Sequence, residues 1–187
     1  LFAYVVVFAG IKLGVGALQR QLPDVVVYAT DILVNDLLGQ TNAQRTGLGL
    51  GTLSLNDELS KAAYAKAQDM FANGYWSHTS PTGKTPWEFI VASGYKYTLA
   101  GENLAKNFST SKGVVDAWMA SPTHRDNIVK PGYRDVGFAV VNGVLGGEET
   151  TLVGQMFGAG EALAQAPEPK KEAPVEVPVE APVPVEI

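Results

Sequence analysis

There is no cysteine anywhere in these 187 residues. That absence excludes a disulfide framework, a thiolate-ligated zinc site and a thiol nucleophile. It leaves the compartment open, since a chain can be exported without cysteine. Basic residues are also scarce. Fourteen Lys and Arg stand against nineteen Asp and Glu, for a formal charge of -5. Without a Lys/Arg cluster there is no phosphate footprint, which argues against nucleic acid as a partner. The serines near position 78 have no glycine-flanked elbow and no acidic third partner, which argues against a serine hydrolase. No methionine stands at position 1, so the chain reads as starting partway through a gene product.

What is present is sharply zoned. Leu1–Leu18 is apolar, with Lys12 its one charge, and Gln19-Arg20-Gln21 follows as a polar stop. The run is near the lower length limit for a bilayer-spanning helix. Residues 1–20 are therefore expected to be a signal anchor, a transmembrane helix or the remainder of a signal peptide; the competing reading is a buried core helix. Residues 21–34 read as a connector. Six of the eleven prolines fall in Pro167–Pro184, interleaved with Val, Glu, Ala and Lys. Such a composition favours polyproline II and cannot bury enough apolar surface to pack. Residues 161–187 are thus expected to be a disordered tail or a semi-rigid spacer through a cell envelope. The folded domain is expected over 35–160.

Within that domain, Leu37, Leu38, Thr41 and Arg45 recur at helical spacing, with Asn35 or Asp36 as cap and Gly47 as stop. Asn56–Asn73 is the clearest helix, with Leu59, Ala62, Ala63, Lys66 and Met70 on one stripe and the Lys66 stem laid along it. Thr85-Pro86-Trp87-Glu88 has the form of a capping box with proline in the first turn. Ser111–Ala120 follows, and Ser121-Pro122 restarts a short helix, with Ser121 expected to cap it. From Tyr133 the period becomes two. Asn142-Gly143 is expected to turn the chain, with Thr151–Phe157 returning as the second strand and a further short strand near Leu99–Leu104. Helices followed by a hairpin predict an α+β domain with helices packed on an antiparallel sheet.

The chemistry gathers around the two histidines. His78 lies in Gly74-Tyr75-Trp76-Ser77-His78-Thr79-Ser80-Pro81, and His124 in Trp118-Met119-Ala120-Ser121-Pro122-Thr123-His124-Arg125-Asp126-Asn127-Ile128. Between them stands Ala100-Gly101-Glu102-Asn103-Leu104. Two imidazoles and one carboxylate from separate segments suit a divalent metal, zinc foremost, with water completing a tetrahedron. They equally suit a hydrogen-bond cluster in which Glu102 pairs with a protonated imidazole. Trp87 and Trp118 sit at core spacing, whereas Trp76 adjoins His78 and is expected at the rim of a cleft. Asn103 is expected to support the backbone beside Glu102. Gln155 either points at the cleft or satisfies polar groups at the sheet edge.

These blocks, with Thr41-Asn42-Ala43-Gln44-Arg45 before them and Gly154-Gln155-Met156-Phe157-Gly158 after, resemble in order those of the CAP superfamily. That superfamily includes the cysteine-rich secretory proteins, venom allergens and plant pathogenesis-related class one proteins, and its domain is also called SCP. The form resembles the cysteine-free bacterial branch. The resemblance implies an α-β-α sandwich exported from the cytoplasm, with His78, Glu102 and His124 in a central cleft where several members bind a divalent metal. The family's second acidic position falls on Ser121, which leaves three of four ligands.

Three functions follow as expectations. The first is a membrane-tethered extracytoplasmic binding module, its cleft built from His78, Glu102, His124, Trp76, Asn103, Ser121 and Gln155 and taking an envelope component, a lipid or a peptide. The second is a metal-assisted hydrolase of peptide or cell-wall material. The third is a structural domain in which the trio staples the fold.

Overall fold

The computed structural model describes residues 30–160. The anchor expected over 1–20, most of the connector and the tail from 161 onward lie outside the described residues. The end of the connector belongs to the fold. Asp31 N–H donates to the Ser109 carbonyl at 2.8 Å, and Ile32 is buried in the core. Among the described residues no helix is long and apolar enough to cross a membrane.

Helix α1 (Val34–Gly47) starts ahead of the caps expected from sequence: Leu33 is its N-cap and makes no side-chain cap. Its start is set from a distance, because the Leu33 N–H donates to Ser111 Oγ at 2.9 Å. Strand β1 (Ser54–Leu55) precedes α2 (Asp57–Asn73), whose N-terminus is capped locally by Asn56 Oδ1, which accepts the Leu59 N–H at 2.9 Å. In α3 (Pro86–Ala92) the capping box forms as expected, with Glu88 Oε2 accepting the Thr85 N–H at 2.6 Å. Strand β2 (Tyr97–Lys106), helix α4 (Ser111–Ala120) and helix α5 (Pro122–Ile128) come next. The chain then closes with the hairpin β3 (Asp135–Leu145) and β4 (Glu148–Gly160).

The hairpin turn is not where Asn142-Gly143 placed it. Those residues sit inside β3, opposite Thr151 and Thr150, and Asn142 Oδ1 accepts from Thr151 Oγ1 at 2.7 Å. The reversal occurs at Gly146 (φ 63°) and Gly147 (φ 89°). A two-residue turn with both φ values positive matches the twist of the strands, and consecutive glycines adopt it without a Cβ penalty.

The strand order is β1-β3-β4-β2. β3, β4 and β2 are antiparallel, and the two-residue β1 adds in parallel beside β3. Side chains alternate across this sheet. Val136, Phe138, Val153 and Phe157 meet Leu37, Val115, Trp118 and Ile128 of α1, α4 and α5 on one face. Ala139, Val141, Leu152 and Met156 meet Leu59, Ala63, Met70 and Ile90 of α2 and α3 on the other. Helices on both faces make the α-β-α sandwich. Trp118 is core as expected, but Trp87 is 39% exposed. On the short α3 the inward stripe is Pro86, Phe89 and Ile90, which turns Trp87 outward.

Candidate functional site

The order of the strands puts β2 at the edge of the sheet, and β2 carries Glu102. An open edge normally invites another strand. Here side chains occupy it. Tyr133 OH donates to the Ala100 carbonyl at 2.9 Å, Asn127 Nδ2 to the Glu102 carbonyl at 3.0 Å, and Trp118 Nε1 to the Leu104 carbonyl at 3.0 Å. Three donors at two-residue spacing hold the strand that bears the carboxylate.

Beneath this edge lies a buried polar ladder. Gln155 Nε2 donates to Thr41 Oγ1 at 3.1 Å, and Asn103 Nδ2 donates to Gln155 Oε1 at 3.0 Å and to the His124 carbonyl at 3.1 Å. Asn127 Nδ2 donates to Asn103 Oδ1 at 2.9 Å. Thr41, Asn103 and Gln155 are wholly buried. Asn103 and Gln155 therefore do not line the cleft, because strand alternation sends residues 103 and 155 to the face opposite Glu102. They tie the backbone of His124 to the sheet. Asn127, not Asn103, supports the Glu102 backbone.

His78 Nδ1 lies 2.5 Å from Glu102 Oε1. The two are unequal in exposure: the imidazole is 55% exposed, the carboxylate side chain 2%. The second carboxylate oxygen, Oε2, is buried and has no hydrogen-bond partner among the described residues. His124 projects from α5 on the other side, its ring centroid 6.5 Å from that of His78. Its Nδ1 is 2.9 Å from Ser121 Oγ. Ser121 is the N-cap of α5 but makes no cap bond to the backbone; its hydroxyl turns to the histidine side chain three residues on.

The trio converges, yet it opens into two adjoining hollows. His78 and Glu102 line one of about 430 Å³ with Trp87, Asn127, Lys130 and Tyr133. His124 and Ser121 line the other, about 310 Å³, with Trp76, Lys106 and Phe108. Trp76 is partly exposed, with Lys106 Nζ 5.3 Å from its ring centre, and it borders the hollow of His124 rather than that of His78.

Lys66 is the site residue that sequence reasoning missed. Its side chain does more than lie along the stripe of α2: it is fully buried, and Nζ donates to the His78 carbonyl at 2.6 Å and to Tyr75 OH at 3.1 Å. Tyr75 OH in turn donates to Asp69 Oδ2 at 2.5 Å. The lysine thus fixes the loop that presents His78. A lysine in the middle of an otherwise Ala/Leu/Met stripe was the available signal.

Burial raises the Glu102 pKa above its ordinary value, against the lowering pull of His78 and Lys66. The bond to Glu102 raises His78, against burial and Lys66. Burial, and then the charge of His78, lowers His124. A group whose pKa rises on folding stabilises the fold below its unfolded value and loses that contribution as pH climbs through its folded value. His78 starts from 6.5, so its contribution falls away above pH 6.5. His124 runs the other way, and its contribution is lost as pH falls below 6.5. The expected result is a decline in unfolding free energy as pH rises above 6.5 that His78→Ala flattens. Urea melts across that range test it; equal slopes in both proteins would remove the ion pair from the account.

The residues do not form a metal-ligand set as they stand. Glu102 Oε1 is engaged by His78 Nδ1, His124 Nδ1 is engaged by Ser121, and among the described residues no three His, Asp or Glu side chains are grouped closely enough to hold an ion. His78 and Glu102 face each other as an ion pair, and each imidazole is engaged through Nδ1.

The order of the blocks and this geometry meet in one comparison. A model for the CAP group, the cysteine-rich secretory protein family, matches residues 38–156. The chain belongs to that family. The uncharacterized protein YkwD of Bacillus subtilis (strain 168) is 44% identical over 101 residues, which is 54% of this chain and 39% of YkwD. The uncharacterized membrane protein YlbC of the same organism is 28% identical over 104 residues, 56% of this chain and 30% of YlbC. The chain thus matches well under half the length of these curated relatives. Among solved structures, an extracellular protein containing an SCP domain from Bacillus anthracis str. Ames has a TM-score of 0.58 at 27% identity, over 66% of this chain and 39% of that one. An outer surface protein from Borrelia burgdorferi has a TM-score of 0.61 at 24% identity, over 68% of this chain and 95% of that one. The CAP fold and the cysteine-free bacterial form are thereby shown.

Proposed function

We propose that this CAP domain is an extracytoplasmic, membrane-tethered binding module whose cleft takes a ligand that donates a hydrogen bond to Glu102. One observation carries the reading: Glu102 Oε2 is buried beside a hollow and has no partner among the described residues. A buried acceptor left unmatched costs about 1–3 kcal/mol, so a ligand N–H or O–H that reaches it recovers that energy. His78 holds the other oxygen, and the exposed face of Trp87 on the same hollow offers an apolar surface for the rest of the ligand. The ligand belongs to the envelope: a lipid, a peptide or a wall component. Extracytoplasmic placement draws support from the Bacillus anthracis relative, which is an extracellular protein, and tethering from the apolar run at 1–20. The hydrolase reading draws no such support, since no ligand set for a metal is assembled among the described residues.

The test is an NMR titration of the full chain with phosphatidylglycerol vesicles, soluble muropeptides and a mixed hexapeptide pool. One class is expected to shift the His78 ring signals, and Glu102→Gln to weaken its binding about tenfold or more. No shift with any class, or equal binding by the Gln variant, would overturn the reading. Conversion of the bound probe to a product would transfer the site to the hydrolase reading.

A further inference from the structure

A third hollow, of about 380 Å³, lies on the outer side of α3 and is lined by Trp87, Glu88, Val91, Ala92 and Tyr97. It is distinct from the cleft, although Trp87 borders both. Trp87 is 39% and Val91 64% exposed, which is unusual for an aromatic and a β-branched residue on one short helix. The Trp87 and Tyr97 rings stand 6.5 Å apart and tilted by 48°, leaving an aromatic notch. Glu88 is the charged group of the lining, and its carboxylate is turned back onto Thr85 N–H and Oγ1.

The described part of the chain ends at this spot. Gly160, the last residue of β4, is the ladder partner of Tyr97. The segment that follows contains Pro174-Val175-Glu176-Val177-Pro178-Val179-Glu180-Ala181-Pro182-Val183-Pro184. In a polyproline II helix every third residue shares a face. That spacing aligns Val175, Pro178, Ala181, Pro184 and Ile187 as a stripe without a charge, and places Glu176, Glu180 and Glu186 on the other faces. Aromatic-lined notches are the usual receptors for such a helix, because it is preformed and loses little entropy on docking. The tether also favours the encounter. Fifteen residues from Gly160 to Val175 span at most about 50 Å, and the notch begins beside Gly160, so the effective concentration is about millimolar.

We propose that the notch formed by Trp87, Val91 and Tyr97 binds the chain's own Val175–Ile187 segment. The proposal stands apart from the cleft reading, since Val91 and Tyr97 do not line the cleft. Docking covers the exposed apolar face of α3 and brings the proline-rich segment to the Trp87 rim of the cleft.

The absence of cysteine makes the test direct. Ala173→Cys accepts a single nitroxide label in the full chain, and paramagnetic broadening is read on the three indole N–H signals and on the Val91 methyls. The Trp87 and Val91 signals are expected to lose most of their intensity, with Trp118 retaining its own as the internal reference. Val91→Glu, a surface change that leaves the core untouched, is expected to restore the Trp87 signal. Uniform or absent broadening would overturn the proposal. So would broadening of an unlabelled, isotope-enriched chain mixed with a labelled one, which would assign the notch to a second copy. Shifts of Trp87 and Val91 that arise with phosphatidylglycerol vesicles alone, without intrachain broadening, would assign it to lipid and overturn the proposal as well. Ligand shifts at His78 are read separately, so loss of either result leaves the other interpretable.

Discussion

Gly137→Ala is expected to lower the stability of the domain by about 3 kcal/mol and its melting temperature by roughly 10 °C. The cause is the closeness of α2 to β3. A Cβ at position 137 would stand 2.2 Å from the Leu59 carbonyl carbon and 2.2 Å from Ser60 N, both of them backbone atoms. Such a clash is relieved only by moving the helix, and the first turn of α2 is tied to β3 on both sides of the contact. Asn56 N–H donates to the Val136 carbonyl at 2.9 Å, and Phe138 N–H donates to Ser60 Oγ at 3.3 Å. The chain therefore has no soft direction in which to yield. Gly154→Ala is the matched control on β4, because its new Cβ would meet the Ala63 methyl at 3.5 Å, an ordinary contact. It is expected to change stability by less than about 1 kcal/mol. Parallel thermal and urea melts decide the matter. Equal effects at the two positions would show that the helix rides free of the strand.

What was legible in the sequence was local. The Asn56 cap and the Thr85–Glu88 box formed because their partners lie three residues away, where tertiary packing has little to add. The two histidines and Glu102 converged because the order of the family's blocks encodes the topology that brings three segments together. The misreadings share the opposite cause. The start of α1 was placed late because Ser111, remote in sequence, fixes Leu33. Asn142-Gly143 carries a turn signal, but the ladder with Thr150 and Thr151 outweighs it and the glycine pair downstream reverses the chain at less cost. Ser121 has the right identity and position for a cap, yet an imidazole lay within reach and competed for its oxygen. Asn103 and Gln155 were assigned to the cleft although strand alternation, applied from Glu102, already sends position 103 to the opposite face. For Lys66 and Arg45 the helical spacing marks the inward stripe, but the partners that let a cation be buried completely, the His78 carbonyl and those of Gly51, Ile128, Lys130 and Tyr133, lie outside any local window.

Arg45→Met is expected to cost about 3 kcal/mol, and Arg45→Lys to recover little of it. Arg45 is 2% exposed, and among the described residues no carboxylate pairs with it. Carbonyl dipoles surround it instead. Nε donates to Gly51 at 2.8 Å, Nη1 to Ile128 at 2.8 Å and to Lys130 at 3.0 Å, and Nη2 to Tyr133 at 3.5 Å. Burial lowers its pKa, but from so high a value that it stays charged near neutrality. Ile128 is the last residue of α5, so the cation sits where the carbonyls of that helix lack partners and its dipole is negative. Methionine fills the volume and leaves those oxygens unpaired in the interior. Lysine restores the charge but not the planar fork that reaches carbonyls from 51 to 133 at once. The effect should extend to the site, because α5 is the element that carries His124 and bonds the Asn103 amide through the His124 carbonyl. In the Met variant the His124 ring is expected to lose part of the burial that lowers its pKa, read as a rise toward 6.5 in an NMR titration, while His78, its loop held by Lys66 on the opposite face, keeps its raised value. A variant that melts as the parent does, or in which both histidines change together, would show that the two halves of the cleft are not supported independently.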